Sequence, residues 1–390
     1  MSFGTLVLIV LAGLGGPLFA VVTGRFIPVV VGEIVAGILV GPAVIGSVDP
    51  TNATIATLGE VGFAMLMLTV GMHLPLRDRR LAAAARKGGL LAGLVCVLAV
   101  PAGLLAADIA GSGHAAIYAV LLASGSAAVL LPAIEETGLA GAQVMSVMAQ
   151  VTIADIITIL AVPIVLQPGR VGHVVLGGLY VAGAAIALFI FARLLSGHDW
   201  VHWLRHRSKQ RRWALDLRLS LLVLFVLAWI AQKGGTSILI AGFAAGLMVA
   251  VIGGPKRLST QVRGIADGFF VPLYFVVLGA QLDLAGLVNH PALLALAGAL
   301  AVLNVVIHLL AALLVRQPLG AALTATAQLG VPAAVASLGL AEHLLSPVVA
   351  TAIVVAALVS LAVCTVGVRM LAQAGAGADS GSVSGTPAAA

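Results

Sequence analysis

Thirteen apolar runs follow one another along almost the whole chain, and they decide what it can fold into. They cover 4–23, 27–46, 55–74, 88–108, 115–134, 144–166, 171–195, 214–231, 233–253, 266–283, 291–315, 319–341 and 346–372. Each is close to the ~20 residues that cross about 30 Å of hydrocarbon as a helix. Runs this long and uniform predict helices, not the alternating strands of a membrane barrel. Composition agrees: 61% of the 390 residues are hydrophobic, 9% are charged, and the mean hydropathy is +1.18. A soluble domain carries roughly 25% charged residues, so the solvent of this chain is lipid.

Net charge +6 invites a nucleic-acid reading, but the positions of the basic residues exclude it. With thirteen spans, 18 of the Lys and Arg residues fall on one side of the membrane, the largest group in the 193–218 connection. Only Arg170 and Lys233 fall on the other. Basic residues collect on the cytoplasmic side, so the N-terminus is expected outside and the C-terminus inside. Cys96 and Cys364 lie within apolar runs and read as small core residues. The sequence predicts no cleavable leader, one membrane domain over 1–372, and a disordered Gly/Ala/Ser-rich cytoplasmic tail over 373–390. It shows no phosphate-binding loop, metal-ligand cluster or nucleophile triad, so neither an enzyme nor a cofactor is expected.

The chain also repeats itself. Ala36-Gly37 and Gly41 in the second span match Ala241-Gly242 and Gly246 in the ninth at an offset of 205. Gly62-Phe63 matches Gly268-Phe269, Gly71 matches Gly279, Leu74-Pro75-Leu76 resembles Leu282-Asp283-Leu284, and Gly125 pairs with Gly330. Seven spans separate each pair, so the two copies enter the membrane in opposite directions. Inverted repeats of this kind hold their site near the midplane, on helices interrupted by Gly or Pro. Here the interrupted positions are Ser124-Gly125-Ser126 with Pro132 in the fifth span and Gly330-Val331-Pro332 in the twelfth.

Asp155 lies at the middle of the sixth span, with no Lys or Arg within a helical turn. A charge there costs at least ~2.5–3.5 kcal/mol on insertion scales, and such residues mark ion paths or proton relays. A lone buried carboxylate can hold a proton or a metal cation. Thr152 is one turn before it, and Thr152, Ser124 and Ser126 supply the oxygen ligands that a hard cation prefers. Glu33, near the end of the second span, reads as structural. Glu135 and Glu136 read as solvated. His308 in the eleventh span has Asn304 one turn before it as a ready hydrogen-bond partner.

On these residues the chain resembles the monovalent cation:proton antiporter superfamily, in particular bacterial Na⁺/H⁺ and Kef-type K⁺/H⁺ antiporters. The segments that carry the likeness are Pro28 to Pro42 around Glu33, Gly37 and Gly41; Ser126 to Pro132 with the following Glu135-Glu136-Thr-Gly138; and Gly268 to Gly279 with Leu282-Asp283-Leu284. The resemblance covers about 4–372. It implies a plasma-membrane homodimer with a static interface part, a mobile core with two crossed broken helices, and exchange of Na⁺, K⁺ or Li⁺ for H⁺ by alternating access. Asp155 then matches the ion-binding aspartate, and Ser126 falls where the family usually has threonine. Two positions depart from the family pattern. Ala154 stands where Asn, Asp or Gln usually precedes the aspartate, and one carboxylate instead of two implies electroneutral exchange. His308 stands near the position of a basic residue, often lysine. With a reference pKa near 6.5 against about 10.4 for Lys, it is expected to pair with Asp155 only at low pH and so tune the pH response. Two other readings remain open on the sequence: a transport-inactive sensor of the same fold, favoured by Ala154, and an organic-anion symporter, for which His308, Asn304 and Gln328 are the available polar groups.

Overall fold

The computed structural model describes residues 2–22, 28–74, 79–195, 198–211, 213–252 and 256–382. The first apolar run forms α1 (Phe3–Gly13) and α2 (Gly15–Val22). Then come α3 (Val29–Val40), α4 (Ala53–His73), α5 (Arg79–Ala110), the pair α6 (Ala115–Ala123) and α7 (Ala127–Thr137), α8 (Ala142–Leu166) and α9 (Val171–Leu195). A short α10 (Asp199–Gln210) precedes α11 (Leu215–Lys233) and α12 (Ile238–Ile252). α13 (Lys256–Ile265) precedes the tenth run, which forms a π-helical turn Ala266–Phe270 and α14 (Val271–Ala280). The chain ends with α15 (Leu284–Asn289), α16 (Pro291–Leu314), the pair α17 (Leu319–Thr324) and α18 (Gly330–Ala341), and α19 (Pro347–Ser382).

The fold is all-α, with no strand among the described residues. Nine helical stretches there are long and apolar enough to cross a bilayer, and four shorter apolar ones, Val29–Val40, Ala115–Leu131, Ile238–Ile252 and Gly330–Ala341, fall on the remaining runs. This is consistent with thirteen spans. Two elements differ from expectation. The basic 193–218 connection contains a helix of its own, α10. α19 continues to Ser382, into the tail whose composition predicts disorder, because extending an existing helix through Ala-rich sequence costs far less than starting one. Residues 383–390 lie outside the described part, as do Arg25, Arg77 and Arg212 of the charge count and Pro75-Leu76 of the repeat.

Two compact units are interleaved in the sequence. The first comprises 1–77, 159–290 and 333–351, the second 78–158, 291–332 and 352–390. Three of the five divisions fall inside α8, α18 and α19.

In the first unit the repeated glycines do the packing. A Cβ at Gly37 of α3 would collide with the carbonyl of Val276 in α14, and one at Gly279 with that of Ile34. Likewise, a Cβ at Gly246 of α12 would strike the Leu68 carbonyl in α4, and one at Gly71 would lie 2.6 Å from the Phe243 oxygen. Small residues let membrane helices approach to backbone contact, where lipid supplies no hydrophobic drive. The second span thus packs on the tenth as the ninth packs on the third: one interface, made twice from repeat-related spans. Phe63 stacks on Tyr274 with centroids 5.3 Å apart, and the Tyr274 hydroxyl donates to the Ala333 carbonyl at 3.0 Å.

The second unit brings α5 against α6 and α16, and α16 against α17. Gly88 of α5 abuts Ala149 and Gln150 of α8, and Gly367 of α19 abuts Leu323 and Thr324. Asp155 and its neighbours all belong to this unit.

Candidate functional site

The fifth run breaks where Ser124-Gly125-Ser126 predicts. Ser124 leaves the helix in an extended conformation, with φ −73° and ψ 154°. Its hydroxyl donates to the Leu121 carbonyl at 2.7 Å, closing the end of α6. Gly125 faces α8: a Cβ there would lie 2.9 Å from Val151 Cγ1 and 3.1 Å from the Val151 oxygen. Only a glycine lets the break come this close to the helix that carries Asp155.

Asp155 is 1% exposed. Its Oδ2 accepts the backbone N–H of Ala127, the first residue of α7, at 3.3 Å. The first N–H groups of a helix have no partner within it, and the aligned peptide dipoles make that end positive. The carboxylate therefore sits at the positive end of the half-helix, and no Lys, Arg or His bonds to it among the described residues. Ser126, also buried, is the last residue before α7. Thr152 is buried, and its hydroxyl has no hydrogen-bond partner among the described residues. Thr158, one turn after Asp155, bonds back to the Ala154 carbonyl at 2.7 Å.

The second break lies elsewhere than the sequence suggests. The chain leaves α17 after Thr324, passes through 325–329 and resumes a helix at Gly330. Gly330 and Pro332 thus open α18 instead of interrupting a helix. Proline in the first turn is tolerated because its missing N–H would have no partner there. Pro132 likewise falls inside α7 and not at the first break; its side chain and those of Glu135 and Glu136 lie outside the described part.

Side-chain amides hold the two breaks together. Asn304 Nδ2 donates to the Thr326 carbonyl at 3.0 Å. Gln328 Nε2 donates to Asn304 Oδ1 at 3.0 Å and to the Leu121 carbonyl at 2.8 Å, with the Ser124 carbonyl at 3.5 Å. Leu121 and Ser124 lie at the C-terminal, negative end of α6, so the amide's donors answer that partial charge. Sequence reasoning finds Gln328 only as an available polar group; a primary amide two residues before Gly330 is the signal that it ties down irregular backbone.

His308 is buried and its Nδ1 lies 2.8 Å from the Asn304 carbonyl. A carbonyl can only accept, so Nδ1 carries the proton and the neutral ring keeps Nε2 as an acceptor. No bond joins His308 to Asp155 among the described residues. Instead His308 lines a narrow crevice with Ser124, Gly125, Ala154 and Gln150. Gln150, which the sequence does not single out, is buried, and its carbonyl oxygen has no hydrogen-bond partner among the described residues. Glu33 belongs to the first unit: it is buried, and its Oε2 has no hydrogen-bond partner among the described residues.

The family model described as "sodium/hydrogen exchanger, transmembrane" matches residues 6–374. The chain belongs to the sodium/hydrogen exchanger family. Members of this family are transporters and not enzymes. Among curated relatives, this exchanger-family chain is 24% identical over 66% of its length to a putative Na(+)/H(+) antiporter YjbQ of Bacillus subtilis. It is 23% identical over 67% to the Na(+)/H(+)-K(+) antiporter GerN of Bacillus cereus, and 26% identical over 75% to the glutathione-regulated potassium-efflux system protein KefC of Salmonella paratyphi B. The matches span 44%, 67% and 47% of those proteins, so the chain accounts for about half the length of YjbQ and KefC. Its fold is similar to that of the sodium proton antiporter MjNhaP1 of Methanocaldococcus jannaschii, with a TM-score of 0.61, 16% identity and coverage of 95% of this chain and 98% of that one.

Proposed function

We propose that the chain is a secondary transporter that exchanges a monovalent cation, Na⁺ or K⁺, for protons by alternating access. The observation that best supports this is Asp155: a fully buried carboxylate with no basic partner among the described residues, seated on the first N–H of a broken helix. Such a group holds a proton or a cation but not both, and competition of two ligands for one anionic site is the minimum chemistry of exchange. One charge replaces another, so the exchange is electroneutral. Ser126, Ser124 and Thr152 are the oxygen ligands we assign beside Asp155, with His308 and Asn304 tuning the pH response and Glu33 an accessory acid. The relatives' names divide between Na⁺ and K⁺, so both cations are kept, with Li⁺ as a third.

We assign the unit comprising 78–158, 291–332 and 352–390 to the mobile ion-carrying core. The other unit is the static part through which two copies form a homodimer in the cell membrane. The 18-to-2 distribution of Lys and Arg supports an external N-terminus and a cytoplasmic C-terminus.

The test is proton flux in everted vesicles with a pH-gradient dye, adding Na⁺, Li⁺ or K⁺ in turn. Cation-evoked collapse of the gradient is expected in the unaltered chain and is lost in Asp155→Asn. Folded protein that responds to none of the three between pH 6 and 9 would sink the proposal. In the same assay His308→Ala shifts the pH profile; an unchanged profile removes His308 from the mechanism.

A further inference from the structure

Helix α10 stands outside the apolar pattern, yet both of its flanks are tied to the bilayer, since α9 ends at Leu195 and α11 begins at Leu215. Local bonds fix it to the start of α11. The Arg211 amide closes the helix on the Arg207 carbonyl at 2.8 Å, and the Trp213 amide reaches the Ser208 carbonyl at 3.1 Å. Ala214 then turns through the left-handed region at φ 51°, and the Leu215 amide donates to the buried Ser208 hydroxyl at 3.2 Å. The segment is held as a ledge and not as a loose connection.

The ledge exposes what a water-facing helix avoids. Trp200, Trp203 and Trp213 are 55%, 56% and 40% exposed. Two of these indoles carry a cation on their faces: the Arg207 guanidinium lies 4.5 Å above the Trp203 ring, and that of Arg211 lies 5.8 Å from the Trp213 ring. Both arginines are exposed, and neither has a carboxylate partner among the described residues. From 199 to 213 the sequence has five Lys and Arg residues against Asp199 alone.

We propose that α10 and Trp213 form an interfacial binding site for anionic phospholipid headgroups, with Arg207 and Arg211 on the phosphate and the indoles beneath them at the acyl boundary. Indole rings settle at the headgroup level of a bilayer, and an arginine stacked on one holds its charge just above an apolar body. Free phosphate would satisfy the arginines and leave three indoles in water. A lipid satisfies both, because phosphate and chain belong to one molecule. The positive-inside count puts this face on the leaflet whose own lipids are negative.

The test uses the full chain in phosphatidylcholine vesicles, in a Trp229→Phe background so that only the tryptophans at 200, 203 and 213 report. Brominated phosphatidylglycerol or brominated phosphatidylcholine is added at the same minor mole fraction, and tryptophan quenching is read. Brominated phosphatidylglycerol is expected to quench about twofold more or better, since basic residues at the surface concentrate anionic lipid. The excess is expected to vanish near 1 M salt, where the screening length is about 3 Å, and in Arg207→Gln/Arg211→Gln. Inorganic phosphate at millimolar concentration is expected to leave it unchanged. Equal quenching by the two lipids overturns the proposal, as does an excess that survives both salt and the double substitution. Indoles untouched by either lipid mean that a second copy covers the ledge, which also overturns it. Displacement by phosphate means an anion site and not a lipid site. The salt arm uses the unaltered arginines, so it decides the matter even if the double variant fails to fold.

Discussion

The two breaks of the second unit solve the same problem in opposite ways. An interrupted helix leaves bare carbonyls on one side and bare N–H groups on the other, and in lipid each unsatisfied group costs several kcal/mol. The first break is three residues long. It is closed by a hydroxyl at the end of α6 and by the Asp155 carboxylate at the start of α7. The second spans 325–329 and is held by the neutral amides of Asn304 and Gln328, which also reach across to the first. One break therefore carries the charge and the other carries the rigidity. On the proposed function, Asp155 can then change its ligand without loosening the backbone around it.

Three substitutions sharpen or break that division. The largest effect is expected from Gln328→Glu, which removes both N–H donors and sets a carboxylate against the Leu121 and Asn304 oxygens. An uncompensated buried charge costs about 3–5 kcal/mol, read as a large fall in the melting temperature of the purified protein. Normal stability would mean the amide carries no load. Gln328→Leu removes the donor to the Asn304 oxygen and leaves the Leu121 carbonyl to its Ser124 donors without adding charge, and about 1–3 kcal/mol is expected. A loss as large as that of Gln328→Glu would show that packing, and not hydrogen bonding, holds the second break. Ser124→Ala should be the mildest, about 0.5–1.5 kcal/mol, because the Leu121 carbonyl keeps Gln328 as a donor. If Ser124→Ala instead costs more than Gln328→Leu, the serine is the main closure and the division fails.

How much of this the sequence discloses depends on what enforces each feature. The spans are legible because lipid demands long apolar runs. Asp155 is legible because charge is so costly there. The first break is legible because its serines and glycine are residues that leave helices easily. The second is not, because Ala325-Thr326-Ala327-Gln328-Leu329 contains neither Gly nor Pro. Its backbone is held by the Asn304 amide reaching in from α16 and by the Gln328 amide reaching out to Leu121 and Asn304, and Pro332 marks where a helix starts. Gln150 is hidden because a single amide in an apolar run carries no pattern. Helix α10 is hidden because a polar, aromatic segment between spans looks the same as a linker until its indoles are seen on one exposed ledge. The glycine repeat is legible as an offset, but not its consequence that repeat-related spans pack crosswise.

That crosswise packing sets an order of events during synthesis. Gly71 of α4 finds its backbone partner in α12 and Gly62 finds its own at Phe270, while Gly37 of α3 meets α14 and Gly32 already packs on α2. Neither early span can complete its close-contact surface until α14 has been made. These early helices therefore wait in the bilayer with part of their glycine seams open. A truncated or stalled chain would present those seams to any neighbouring helix able to fit them.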